Sequence, residues 1–181
     1  QIPFSWDDLS NQYLVRNFTV DDGLPINSIN YIAHHGDGYV YAATNDGLAR
    51  FDGDRFFVFN TSNSKKMQSN RIKWVGSGNS NELWFLDISE NLYLLKNGVV
   101  AWFQGEEKYK DLNVQKIDWF ADGRVIITSN KGFLIQDNNG EWLQEAKAEI
   151  PIQNSFVLDG KSISFFNNKG YQNLYNGTVI T

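Results

Sequence analysis

An all-β fold, built as a propeller of four-stranded antiparallel blades, is what this sequence predicts, and three observations predict it. The first is aromatic content: thirteen Phe, eight Tyr and six Trp stand beside a single Met in 181 residues. Aromatic and β-branched side chains fit a pleated, half-buried surface. The second is a period of two. Segments such as Ser28–Ala33, Arg55–Phe59, Arg71–Val75 and Lys116–Phe120 place every second residue on one face, as strands do. The third is a set of turns that recur together.

Asp52-Gly53, Asn97-Gly98, Asn139-Gly140 and Asn176-Gly177 suit tight hairpins, and their glycines lie 45, 42 and 37 residues apart. A few residues upstream runs a second series: Asn45-Asp46-Gly47, Ser89-Glu90-Asn91, Asn130-Lys131-Gly132 and Asn168-Lys169-Gly170. In its second unit Asn91 replaces glycine and is expected to hold the left-handed position. A third series is Gly36-Asp37-Gly38, Gly78 to Asn81, Asp122-Gly123 and Asp159-Gly160. Three turn series on one period mean four strands, a to d, repeated about every forty residues, the spacing of a propeller blade. The b strands close on Thr44, Asp87, Ser129 and Asn167, spaced 43, 42 and 38 apart, which checks the register independently.

The elements follow in order. Residues 1–12 are a lead-in, and Tyr13–Val20 reads as an orphan d strand of a blade whose other strands lie elsewhere. Blades are expected over about 27–60, 70–103, 113–144 and 153–181. Only Glu141–Glu149 could be read as a turn or two of helix, and it lacks a cap. A fourth blade that already owns its d strand, Thr178–Thr181, leaves Tyr13–Val20 surplus. The expectation is therefore an open arc of a larger, seven-bladed ring rather than a closed small propeller. Because an arc leaves apolar faces uncovered, the piece is expected to self-associate.

Composition narrows the function classes. The chain has no cysteine, which excludes disulfides and thiolate chemistry, and a net charge of −5, which offers no basic stripe for nucleic acid. No apolar run approaches the ~18 residues of a membrane helix, so any membrane link would run through flanking segments. The chain begins with Gln1, and a mature or cut chain is the expectation.

The first unit, Thr19 to Phe59, resembles the two-component regulator propeller repeat. It carries Gly23-Leu24-Pro25, Asp37-Gly38, the aromatic strand Tyr41–Thr44, Gly47-Leu48 and Phe51-Asp52-Gly53. Tyr41 and Ala43 stand where the family usually has tryptophan and glycine; the second unit keeps Leu83-Trp84 but has Asp87 for the threonine, and the third and fourth keep the turns and little of the strand signature. The resemblance implies a periplasmic, ligand-sensing input domain of a bacterial membrane signalling protein. In that family the output is a cytoplasmic histidine kinase (often a hybrid two-component protein) or a diguanylate cyclase, and carbohydrate is a frequent ligand. The alternatives are a protein-interaction or dimerisation scaffold and a carbohydrate-active enzyme fragment. The signatures of hydrolase elbows, zinc proteases and phosphate loops are absent from the sequence, so the segment is expected not to be an enzyme.

If a ligand such as an oligosaccharide binds, propeller geometry points to the face that bears the d–a and b–c connections. Asn45, Asp46, Asn70, Arg71, Asp87, Gln115, Asn130 and Lys131 are the candidate ligand residues there, because amide and charged groups suit sugar hydroxyls. No metal site or cofactor is expected. His34-His35 read as exposed residues of the a–b turn, and Asp52-Gly53-Asp54 as a hairpin rather than a calcium loop. Trp74, Trp84, Trp102, Trp119 and Trp142 read as packing between sheets.

Overall fold

A computed structural model describes residues 15–78, 82–120, 122–137, 141–147, 154–158, 162–167, 170–175 and 178–180, with backbone alone beyond residue 143. Sixteen strands form four separate antiparallel sheets among them. Blade 1 holds β1 (Ile29–His34), β2 (Val40–Thr44), β3 (Gly47–Phe51) and β4 (Phe56–Phe59). Blade 2 holds β5 (Ile72–Ser77), β6 (Leu83–Asp87), β7 (Leu92–Lys96) and β8 (Val99–Trp102). Blade 3 follows with β9 (Val114–Trp119), β10 (Val125–Ser129), β11 (Gly132–Gln136) and β12 (Trp142–Lys147). Blade 4 comprises β13 (Asn154–Leu158), β14 (Ser162–Asn167), β15 (Gly170–Tyr175) and β16 (Thr178–Ile180). Each sheet pairs its strands in chain order, the up-and-down meander of a propeller blade.

Alternation sorts the core into two layers. On blade 2, Leu83, Phe85, Tyr93 and Leu95 face blade 1 and pack with Tyr41, Ala43, Leu48, Phe59 and Met67. The intervening Trp84, Leu86 and Leu92 face blade 3 and pack with Val114, Ile117, Val125, Ile127 and Leu134. A one-residue slip of β6 would exchange the two sets, so the register is strongly specified.

The exposed end of the stack is legible from equivalent positions. Ile29, Ile72 and Val114 share one register, opposite Thr44, Asp87 and Ser129; Ile32, Val75 and Ile117 share another. In blades 2 and 3 these residues are 0–4% exposed, whereas Ile29 is 42% and Ile32 56% exposed. The difference is the neighbour: blades 2 and 3 each have a preceding sheet to cover them, and among the described residues blade 1 has none.

Three local expectations are corrected. Val15–Thr19 is not a strand, and Val20 opens a 3-10 turn; Tyr13 and Leu14 lie outside the described residues. Thr19 and Asp22 form a capping box that ends the extended run, while Phe18 packs edge-on against Phe51 at 4.6 Å and Phe56 at 5.7 Å. The segment thus covers aromatic rings of blade 1 instead of extending a ladder. The helical reading of Glu141–Glu149 fails over Trp142–Lys147, which is β12 paired along all of β11. Its Trp142 ring sits 5.9 Å from Trp84 and 5.3 Å from Phe103, and that packing outweighs helix propensity. The turn after β6 is left-handed at Glu90 (φ 64°), not at Asn91. Asn91 is instead the first residue to pair back, accepting from the Asp87 N–H, so three residues intervene, with the left-handed one last. The equivalent turns after Thr44 and Ser129 hold two, followed by Gly47 (φ 119°) and Gly132 (φ 112°). Asn139-Gly140 and Asn176-Gly177 lie outside the described residues.

Candidate functional site

The innermost strands carry a shared irregularity. Where β1, β5 and β9 meet their partners, each has one extra residue near its start, so that Asn30, Lys73 and Gln115 are bulged out of the ladder. A bulge re-aims its side chain and tightens the twist. In blade 1 the re-aimed Asn30 amide bridges blades, donating to the Ile72 carbonyl at 2.7 Å and to Asn45 Oδ1 at 3.1 Å. In blades 2 and 3 the bulged Lys73 and Gln115 line a groove of about 430 Å³ with Tyr31, Trp74, Lys116, Asp118 and Trp119.

Aromatic rings form the apolar wall of this groove. Trp74 stacks on Trp119 at 6.1 Å and 22°, and Tyr31 stands 6.1 Å from Trp74 on the other side. Two glycines make the stack possible. A Cβ on Gly78 would lie 2.1 Å from the Trp119 indole, and one on Gly76 would meet both Trp74 and Trp119 below 3 Å. The polar rim is Lys73, held 3.4 Å from Glu90, the Lys116–Asp118 ion pair at 2.9 Å, and Gln115, which is exposed. An aromatic cluster edged by ionic and amide groups can take the apolar part of a ligand while hydrogen-bonding its substituents.

The residues expected to bind ligand are distributed, and only Gln115 reaches the groove. Asn70 is occupied at the blade 1–2 seam: its Oδ1 accepts from the Thr61 N–H at 2.8 Å, and its carbonyl accepts from Gly47 at 2.7 Å. Asp46 lies 3.5 Å from the Asn70 amide, and Asn45 accepts from Asn30. Asn130 is occupied within blade 3, accepting from the Asn113 N–H at 3.0 Å, and Lys131 lies 3.6 Å from Asp111. Arg71 is exposed, outside the groove lining. Asp87 is fully buried. Its carboxylate accepts from the Ser89 and Asn91 N–H groups, the Asn91 amide and the Tyr93 hydroxyl, all within 3.0 Å. Every acceptor position is thus used inside the turn.

Among the tryptophans, Trp84 is core, and Trp102 and Trp142 pack at its margin. Trp74 and Trp119 both pack and line the groove. The sequence signal for the groove, an aromatic two residues past the isoleucine that opens β1 and β5, was masked by the same alternation that marks core. His34 is exposed as expected, but His35 is buried, 5% exposed, because the a–b turn folds its ring edge-on against Tyr41. Among the described residues no three His, Cys, Asp or Glu side chains are grouped to hold a metal.

No protein-family model matches the chain, and no curated protein matches it. Solved structures do resemble it. The extracellular domain of a protein described as a hybrid two component system of B. thetaiotaomicron superposes with TM-score 0.59 at 16% identity, over 84% of this chain and 21% of its own. The extracellular domain of a one component system of the same organism gives 0.56 at 10% identity, over 87% and 30%. A streptogramin B lyase gives 0.61 at 13% identity, over 87% and 55%. The chain thus spans from about a fifth to just over half the length of these structures. Identities this low establish the architecture the three share, and the chain is an all-β assembly of propeller blades.

Proposed function

We propose that these blades belong to the extracytoplasmic input domain of a bacterial membrane signalling protein, and that the inner-strand groove receives its ligand, with carbohydrate as the ligand class. The domain is read as binding rather than catalytic, with output through a kinase or cyclase module beyond these residues. Support comes from the likeness to extracellular domains of signalling proteins and from the two-component regulator repeat pattern at Thr19–Phe59. The observation that carries the reading is the groove itself: the stacked Trp74 and Trp119 give it aromatic lining, and Lys73 and Gln115 line it from bulges that recur in three blades. The apolar C–H faces of sugar rings pack on aromatic surface while their hydroxyls meet charged and amide groups at the edge.

Calorimetric titration with a panel of oligosaccharides tests this. A binding member should lose at least about tenfold in affinity in Lys73→Ala or Gln115→Ala, in line with one lost charge-assisted or amide contact, while Arg71→Ala stays as wild type. Unchanged affinity in both groove variants removes the groove from the site, and a panel without any binder removes carbohydrate.

A second reading, a dimerisation or interaction scaffold, is favoured by one observation. Ile29 and Ile32, on the side of blade 1 turned away from blade 2, are 42% and 56% exposed. Signalling by subunit rearrangement needs such a face more than it needs a small ligand.

A further inference from the structure

We propose that a second pocket, at the end of blades 1 and 2 that carries the a–b and c–d turns, binds a small carboxylate whose neighbouring carbon bears a hydroxyl or ammonium group. The cavity measures about 240 Å³ and is lined by His35, Asp37, Tyr41, Arg50 and Asn97, with an apolar wall that includes Leu83. It shares no lining residue with the groove, and the argument for it is independent of the input-domain reading.

Each polar group is set for a partner of definite character. Asp37 engages His35 at Nδ1, with Oδ1 at 3.0 Å and the backbone N–H at 3.4 Å. Nε2 is buried without a hydrogen-bond partner. Buried polar atoms in native proteins are ordinarily satisfied, so this one calls for a partner from outside the chain. Asp37 is held in place by the Tyr39 N–H at 3.0 Å and the Tyr41 hydroxyl at 2.9 Å, leaving capacity for one further donor.

Arg50 supplies the opposite chemistry. Its guanidinium centre lies 4.6 Å from the Tyr39 ring and 5.3 Å from the Phe57 ring, so two aromatic rings hold the head group at the cavity. No carboxylate lies within 4 Å of it among the described residues. A guanidinium held there without a carboxylate is suited to a bidentate anion, and the Asn97 amide adds a donor beside it. One cation, one anion and one unpartnered imidazole nitrogen around a single small cavity complement a ligand that carries a carboxylate and a hydroxyl or ammonium group on adjacent carbons. A free amino acid and a hydroxy acid share that chemistry.

The 181-residue protein is titrated calorimetrically, and melted, with L-alanine, L-lactate, acetate and ethanolamine. L-alanine or L-lactate should bind and raise Tm by about 5–10 °C at a hundredfold excess over Kd. Whichever binds tells ammonium from hydroxyl. Acetate and ethanolamine each lack one of the two groups and should bind at least tenfold more weakly. Arg50→Gln should weaken binding tenfold or more. Asn97 has φ 52°, so Asn97→Gly keeps the turn while removing the amide. That variant should bind several-fold more weakly with the Tm of the unliganded protein unchanged. The proposal is overturned if neither L-alanine nor L-lactate binds at millimolar concentration, or if Asn97→Gly and Arg50→Gln both keep wild-type affinity. Water alone would then satisfy His35.

Discussion

Asp87 shows why a buried carboxylate need not mark a site. Thr44 and Ser129, at the equivalent strand ends, manage two-residue turns with one hydroxyl each, donating to the Gly47 and Gly132 carbonyls. The longer turn after β6 presents more donors, and only a carboxylate can accept four hydrogen bonds. Asp87→Ala should therefore destabilise the protein by about 3 kcal/mol, read from urea unfolding, with Asp87→Asn intermediate. Asp37 makes a pH-dependent contribution of the opposite visibility, near the surface. Burial alone would raise its pKa, but the Tyr39 N–H, the Tyr41 hydroxyl and His35 outweigh that and hold it below the ordinary 3.8. A carboxyl group lowered in the folded state adds stability above its ordinary value and loses it as pH falls through the lowered one. The stability gap between wild type and Asp37→Asn should be open near neutrality and close in acid. A gap that persists at the acid end would contradict the assignment.

At the scale of elements, glycines set what each strand can approach. Gly47 combines φ 119° with a missing Cβ that would fall 2.6 Å from the Phe59 carbonyl oxygen. Gly47→Ala should cost about 1–3 kcal/mol for the backbone alone, with the clash added, and a wild-type denaturation midpoint would refute this account. Such turns are legible in a sequence because Asn-Gly and Asp-Gly state their backbone requirement locally. The bulges at Asn30, Lys73 and Gln115 are not, since an extra residue in a strand changes neither composition nor apolar spacing enough to announce itself. Hence the fold could be read from turns and alternation, while the groove could not: of the eight expected ligand residues Gln115 alone lines it. Asn70, on the chain entering blade 2, and Asn130, in the b–c turn of blade 3, instead tie an entering chain to a b–c turn, Asn70 to that of blade 1 and Asn130 to Asn113 within blade 3. His35 was misread for a related reason. A turn is exposed on average, and only the fold shows that this one lays a ring against Tyr41.

For the molecule as a whole, the partly covered outer face of blade 1 is an exposed apolar feature among the described residues. Ile32 occupies a position that is buried in blades 2 and 3, so the innermost strand of this face stays open to another sheet, while Leu24 packs over Ala42 and Ala49 further out. Light scattering should show the average mass rising with concentration, and Ile32→Lys should return it toward the 20.7 kDa of one chain. A constant monomer mass for the wild type would argue that Phe18 and its neighbours cover more of the face than Ile29 and Ile32 suggest. At the other seam, between blades 2 and 3, the Trp74–Trp119 stack closes the interface from the inside. Two indoles held face to face at 6.1 Å share their electronic excitations. The protein therefore carries a built-in optical reporter: the exciton couplet of this pair in circular dichroism reads the docking of blade 3 on blade 2 separately from the folding of either sheet.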